Sequence, residues 1–233
     1  MYPGKYAEQN PDRSAFVMAA TGERVSYQEF EARSNRVAHY LADKGLGFQD
    51  HYSIFMENNN RYLESCAAGE RSGLYYTCIN SFLTSDELAY IINNSESQIL
   101  ITSMSKLEAA QEALAQCTAI KEVLVVGAGD GDLPEGMSDF ESTLSKYPET
   151  PLERELLGAA MLYSSGTTGR PKGIVRPLPE QSPNEPLPVI GFLSGLWRYR
   201  EDMIYLSPAP LYHSAPQAAV GLTLRMGGTV VIM

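Results

Sequence analysis

Positive charge is what this sequence has least of: 18 Lys and Arg stand against 28 Asp and Glu, a formal net charge of −10. That balance argues against a general nucleic-acid binder or an anionic-membrane binder, so any anion the protein holds must be held by a local site. No stretch approaches the ~20 apolar residues of a membrane span. The N-terminal "MYPGKYAEQNPDRSAF" is polar and broken by prolines, without the apolar core of a signal peptide. Cysteine is scarce as well. Cys66, Cys78 and Cys117 are odd in number and lack metal-ligand spacing, which reads as free thiols in a reducing compartment. A cytoplasmic chain is expected. No internal repeat stands out.

What is present is an ordinary globular balance: 233 residues, 44% hydrophobic and 20% charged, enough for a sizeable core. "VSYQEFEARSNRVAHYLADKGL" reads as a helix opened by a Ser26–Glu29 capping box and stopped at Gly45. Then come strand "HYSIFM", small-residue helix "NRYLESCAAGERSG", strand "LYYTCIN", and helix "SDELAYIINNS" behind a Thr84–Glu87 capping box. "SQILIT", "SKLEAAQEALAQC" and "KEVLVVG" continue the alternation. This pattern predicts an α/β fold with mainly parallel sheets flanked by helices.

Three segments are expected: an α/β subdomain over 1–126, an acidic surface excursion with one short helix over 127–157, and a binding segment over 158–233. In the last, "GAAMLYS" reads as a buried strand and "RPLPEQSPNEPLP" as an extended loop. A helix, the strand "DMIYLSPAP", a helix near "QAAVGLTL" and the strand "GGTVVIM" follow. An apolar strand with no cap or polar tail is an exposed edge, which suggests truncation and predicts self-association.

The stretch that calls for chemistry is "YSSGTTGRPKG", residues 163–173, directly after the "GAAMLYS" strand. Gly166, Gly169 and Gly173 permit backbone conformations that turn successive N–H groups inward as an anion nest. Ser164, Ser165, Thr167 and Thr168 add hydroxyl donors, and Lys172 adds a mobile cation. Together they suit a polyphosphate. The spacing is not that of a Walker A loop: five residues on from Gly166 stands Pro171, and Lys172 is followed by Gly173. A flexible Gly/Ser linker does not explain a lysine after proline behind a buried strand.

This loop resembles the phosphate loop of the adenylate-forming superfamily, which includes acyl-CoA synthetases, luciferases and adenylation domains of peptide synthetases. "SYQEFEARSNRVAHYLADKGL", "ENNNRYLESCAAGERSGLYYTCIN" and "YLSPAPLYHSAP" are similar to the segments around it in that family. The resemblance covers the whole chain, but the chain covers less than half of the family's fold. It implies ATP, with Mg²⁺, and coenzyme A as the thiol. A carboxylate attacks the α-phosphorus to give acyl-adenylate and pyrophosphate, and the thiol then takes the acyl group.

Carried over by position, Ser164, Ser165, Gly166, Thr167, Thr168, Gly169 and Lys172 would bind the phosphates. One unidentified loop hydroxyl would lie near the metal, and His213 in "LYHSAP" would lie between carboxylate and α-phosphate. The family's later adenine, ribose and catalytic-lysine segments are not in these residues, so the chain alone is expected not to form acyl-adenylate. A proline-rich stretch replaces the Ser/Thr-His pair that commonly follows the loop.

"PLYHSAP" resembles the form found with fatty-acid substrates. "QAAVGLTLRMGG" has no acid to meet an amino-acid ammonium, which counts against an amino-acid activator. An aryl-acid ligase and a non-catalytic nucleotide-binding or interaction module stay open. His39 and His51 read as structural. Arg170 and Arg176 either add positive potential to the loop or are solvated, and Trp197 reads as helix packing.

Overall fold

The computed structural model describes residues 1–129, 131, 133–164 and 170–233. A short helix α1 (Gly4–Gln9) leads to the antiparallel pair β1 (Ser14–Met18) and β2 (Arg24–Ser26). Helix α2 (Tyr27–Asp43) opens at the expected capping box: the Glu29 amide donates to Ser26 Oγ at 3.2 Å, and the Ser26 amide donates to the Glu29 carboxylate at 2.8 Å. Phe30, Val37 and Leu41 line its buried face. Phe30 meets Phe16 of β1 edge to face at 5.5 Å, and burying each ring contributes about 2 kcal/mol.

Strands and helices then alternate as β3 (His51–Phe55), α3 (Tyr62–Ser72), β4 (Tyr75–Cys78), α4 (Ser85–Asn94), β5 (Ile99–Ser103), α5 (Leu107–Leu114) and β6 (Glu122–Val126). Thr84 and Glu87 cap α4 reciprocally, as their spacing predicts. Residues 127–157 hold more than a short helix. They form β7 (Met137–Asp139), paired in parallel with β6, and α6 (Phe140–Leu144), whose Phe140 and Leu144 enter the core. The triplet Met-Ser-Asp has no strand pattern of its own; β6 supplies its ladder.

The expected strand "GAAMLYS" divides between two sheets. β8 (Ala159–Ala160) runs parallel to β4, whereas β9 (Leu162–Ser164) pairs antiparallel with β10 (Lys172–Ile174). β8 and the first two residues of β9 are half-buried rather than buried, Ser164 is exposed, and Met161 is enclosed between the two pieces. The chain continues through α7 (Pro188–Trp197), β11 (Ile204–Ser207), α8 (Ser214–Arg225) and β12 (Thr229–Ile232).

A six-stranded, wholly parallel sheet has the order β7-β6-β5-β3-β4-β8, and a four-stranded sheet the order β11-β12-β1-β2. β12 is therefore interior, with Phe16 opposite Val230 on one side and Tyr205 opposite Val230 on the other. The exposed edge foreseen for the last strand falls instead on β11, where Ile204 and Leu206 face solvent. Val189, Phe192 and Leu196 of α7 are exposed too. Trp197, expected to pack its helix, is 55% exposed and leans on Tyr199. Cys66 and Cys78 are buried free thiols with sulfurs 3.7 Å apart, and Cys117 is half-buried. No helix among the described residues is long and apolar enough to cross a membrane.

Candidate functional site

The β9–β10 hairpin brings the two ends of the glycine- and hydroxyl-rich loop together. Ser164 stands opposite Lys172, Tyr163 opposite Gly173 and Leu162 opposite Ile174. Ser164 and Lys172 are exposed at its tip. Ser165, Gly166, Thr167, Thr168 and Gly169 lie outside the described residues. Gly173 meets a packing demand: a Cβ there would collide with Met161 Cε and come within 3.0 Å of the Tyr163 ring.

Three tyrosines fasten this hairpin to the parallel sheet and its helices. Tyr90 of α4 donates its hydroxyl to the Pro171 carbonyl at 3.0 Å, and the Arg170 guanidinium lies 4.9 Å from the same ring. One turn on, Asn94 accepts from the Tyr163 hydroxyl at 2.7 Å. Burial, with Tyr90 close by, pushes that hydroxyl up to about 12. Tyr75 of β4 donates to the Arg176 carbonyl at 2.6 Å. No pattern in the sequence marks Tyr90, Asn94 or Tyr75, because each contact closes only in three dimensions.

Behind the hairpin lies a cleft of about 530 Å³. Leu162 and Ile174 of the hairpin line it together with Ser214, Gln217, Gly221 and Leu222 of α8. The segment "RPLPEQSPNEPLP" closes the side through Pro177, Leu178 and Pro179. From Arg176 to Leu187 it contains no helix or strand, as expected of an extended loop, and its last proline, Pro188, opens α7. It is tied down by the Leu157 amide donating to the Gln181 carbonyl at 2.8 Å and by Arg225 Nη1 donating to the Pro183 carbonyl at 3.0 Å.

The cleft floor carries an ion pair, Glu70 with Arg225, Nε to carboxylate 2.9 Å; the Met1 amino group also pairs with Glu70. Burial favours the neutral Glu70 acid, but Arg225 and that amine outweigh it and hold the carboxyl down at about 2.

His213 is the residue before α8 and is exposed, its ring 4.4 Å from that of Tyr212. Its side chain caps no helix amide, so the imidazole is not used by the fold there. The neighbouring Ser214 lines the cleft. The structure thus brings Ser164 and Lys172 together on the hairpin that gives Leu162 and Ile174 to the cleft, and sets His213 just before α8, whose Ser214 lines it, without any of the three being a lining residue itself. His39 Nε2 sits 2.9 Å from the Thr150 carbonyl. His51 stacks on Tyr75 at 4.7 Å, its pKa lowered by burial. Both fit structural roles. Among the described residues no group of three His, Cys, Asp or Glu side chains stands ready for a metal.

Against known families, the model described as "AMP-binding enzyme" matches residues 5–233. A medium/long-chain-fatty-acid–CoA/3-oxocholest-4-en-26-oate–CoA ligase of Mycolicibacterium smegmatis is 28% identical over 95% of this chain and 42% of its own length. The 4-coumarate–CoA ligase 1 of Petroselinum crispum is 27% identical over 95% of this chain and 40% of its own. The chain thus spans about two fifths of the length of these curated relatives. Among solved structures, ATP-bound MatB from Rhodopseudomonas palustris superposes with a TM-score of 0.74 and 27% identity, covering 100% of this chain and 45% of that one.

Proposed function

Because this chain belongs to the AMP-binding enzyme family, we propose that it is the nucleotide- and acid-binding part of an ATP-dependent acid–thiol ligase of the acyl-CoA synthetase kind. The observation that carries the reading is the pairing of Ser164 with Lys172 on the hairpin that lends Leu162 and Ile174 to a largely apolar cleft, which Ser214, next to His213 at the head of α8, also lines. In this reading the loop from Ser164 to Gly169, with Lys172, holds the ATP phosphates. A point charge on a flexible stem follows charge as it moves toward the departing pyrophosphate.

His213 holds the carboxylate near the α-phosphorus, where positioning alone is worth several powers of ten in rate. The carboxylate oxygen forms the new bond, pyrophosphate leaves, and the thiol of coenzyme A then displaces AMP from the acyl carbon. Mg²⁺ arrives with ATP and is assigned no protein ligand. The cytoplasm is the setting this chemistry suits.

An apolar cleft and the fatty-acid–CoA ligase of M. smegmatis support a fatty-acid substrate. The P. crispum 4-coumarate–CoA ligase supports an aryl acid as the second reading. Competition between dodecanoate and 4-coumarate for the cleft, read by calorimetry, separates the two. The loop assignment is tested by titrating Mg²⁺-ATP into wild type and Lys172→Ala. Loss of binding in the variant supports it; equal binding overturns it.

The exposed Phe192, Leu196, Ile204 and Leu206 further lead us to expect self-association of the 233-residue chain. Sedimentation velocity that shows a monomer at every concentration would count against this.

A further inference from the structure

Cys66 of α3 and Cys78 of β4 hold their sulfurs 3.7 Å apart, and both are free thiols. Twelve residues separate them in sequence, across the turn at Gly73 that ends the helix. Two thiols in a core are ordinary small hydrophobes. Two whose sulfurs touch are also the two halves of a disulfide, which forms at about 2.05 Å. Cys117 has no such company. It packs against the other core cluster, and its thiol donates to the Ala113 carbonyl at 3.3 Å.

The two thiols are unequal. Cys66 is fully enclosed, and burial, with the Cys78 sulfur beside it, pushes its thiol well up. Cys78, the last residue of its strand, is 7% exposed. The thiolate is the attacking species, so reaction starts at Cys78 and Cys66 resolves it. A bridge here joins the two elements that give the cleft Glu70 and Tyr76. Cys66 stands one turn before Glu70 on α3, and Cys78 two residues after Tyr76 on β4. Helix and strand pack without slack there, since a Cβ on Gly69 would lie 2.8 Å from the Tyr76 ring.

We propose that Cys66 and Cys78 form a reversible redox site, bridged by a small-molecule disulfide and reopened by a thiol, that locks α3 to β4 beside the cleft. Cys78 attacks one sulfur of the oxidant, making a mixed disulfide and releasing one thiol. Cys66 then gives up its proton and attacks the Cys78 sulfur, displacing the second thiol. The protein loses two hydrogens and the oxidant gains them. In a reducing compartment the pair rests as two thiols, and the bridge marks an oxidised glutathione pool. This chemistry does not depend on what the cleft binds.

The test is incubation of the folded 233-residue chain with oxidised glutathione, followed by acid quench, intact mass, thiol count and peptide mapping. Mapping of wild type is expected to show Cys66 joined to Cys78. Cys117→Ala, free of the third thiol, should lose about 2 Da and both its thiols, and dithiothreitol should restore them. Cys66→Ala should stop at a mixed disulfide on Cys78, and Cys78→Ala should leave Cys66 unreacted. The two serine variants repeat these arms, with thermal melts to show that each is folded. The bridged chain should melt above the reduced one, because the closed loop restricts the unfolded chain.

A folded chain that keeps both Cys66 and Cys78 as thiols overturns the assignment. So does a bridge that involves Cys117, or one that appears only in denaturant. Glutathione left on Cys78 of wild type without a bridge overturns it too, since the two sulfurs would then be neighbours that cannot meet. A bridged chain that melts no higher than the reduced one removes the lock.

Discussion

Ser164 and Lys172 are cross-strand partners in the β9–β10 ladder, eight residues apart in sequence. The loop between them therefore begins and ends within one strand spacing, about 5 Å. Because Lys172 is exposed, Lys172→Ala should leave the thermal midpoint within about 2 °C of wild type while ATP affinity falls at least tenfold. A melt and a titration on the same sample check both halves. A large drop in the midpoint would make the lysine structural.

Tyr90 should matter to the nucleotide without touching it. Tyr90→Phe keeps the ring under Arg170 and removes the hydroxyl that donates to the Pro171 carbonyl. One such bond is worth about 1 kcal/mol, so ATP affinity should weaken about fivefold. An unchanged affinity would show that the hairpin holds its place without this tether.

How much of this was legible in the sequence differs from element to element. The caps of α2 and α4 were legible because Ser26–Glu29 and Thr84–Glu87 satisfy one another within four residues. The parallel sheet was legible from its buried apolar runs. β1 was not, because its partner β12 lies more than 200 residues away, and β7 was not, because Met137–Asp139 has no apolar alternation. The division of "GAAMLYS" between two sheets follows from tertiary pairing that a local pattern does not encode. In the site, Ser164, Lys172 and His213 stood out by residue type and company. Tyr90 and Asn94 did not, since a tyrosine and an asparagine on a helix look like any others until their partners are known.

Gly158 is the sharpest stability test in the fold. A Cβ there would run into the carbonyl oxygens of Gly69 and Leu74 and lie 2.8 Å from the Leu74 nitrogen. All three are backbone atoms at the junction of α3, β4 and β8, and none can swing aside. Gly158→Ala should cost about 3 kcal/mol in urea unfolding. A loss under 1 kcal/mol would mean that the junction yields.

The Glu70–Arg225 pair makes a pH prediction with a definite sign. The folded carboxyl sits at about 2, below its ordinary value of 4.5. Its contribution to stability is therefore complete above pH 4.5 and is lost as pH falls from there toward 2. Glu70→Gln, which strands the Arg225 charge, should cost about 3 kcal/mol at pH 7. That deficit should narrow below pH 4.5. Urea midpoints for both proteins between pH 7 and 3 decide it, and a gap constant across the range would contradict the pairing.

The place of β12 between β1 and β11 has a consequence for how the molecule is made. While a ribosome is still extending the chain, β1 and β2 can pair only with each other, and the side of β1 that will meet Val230 is an unmatched row of amides and carbonyls. It must wait for the full distance from Phe16 to Val230 to be synthesised. At 5–20 residues per second that is on the order of ten to forty seconds. The parallel strands β3 to β6 close over much shorter separations and can form first. The four-stranded sheet is then the late event of folding, and the interval before it is when a nascent chain is most open to pairing with a neighbour.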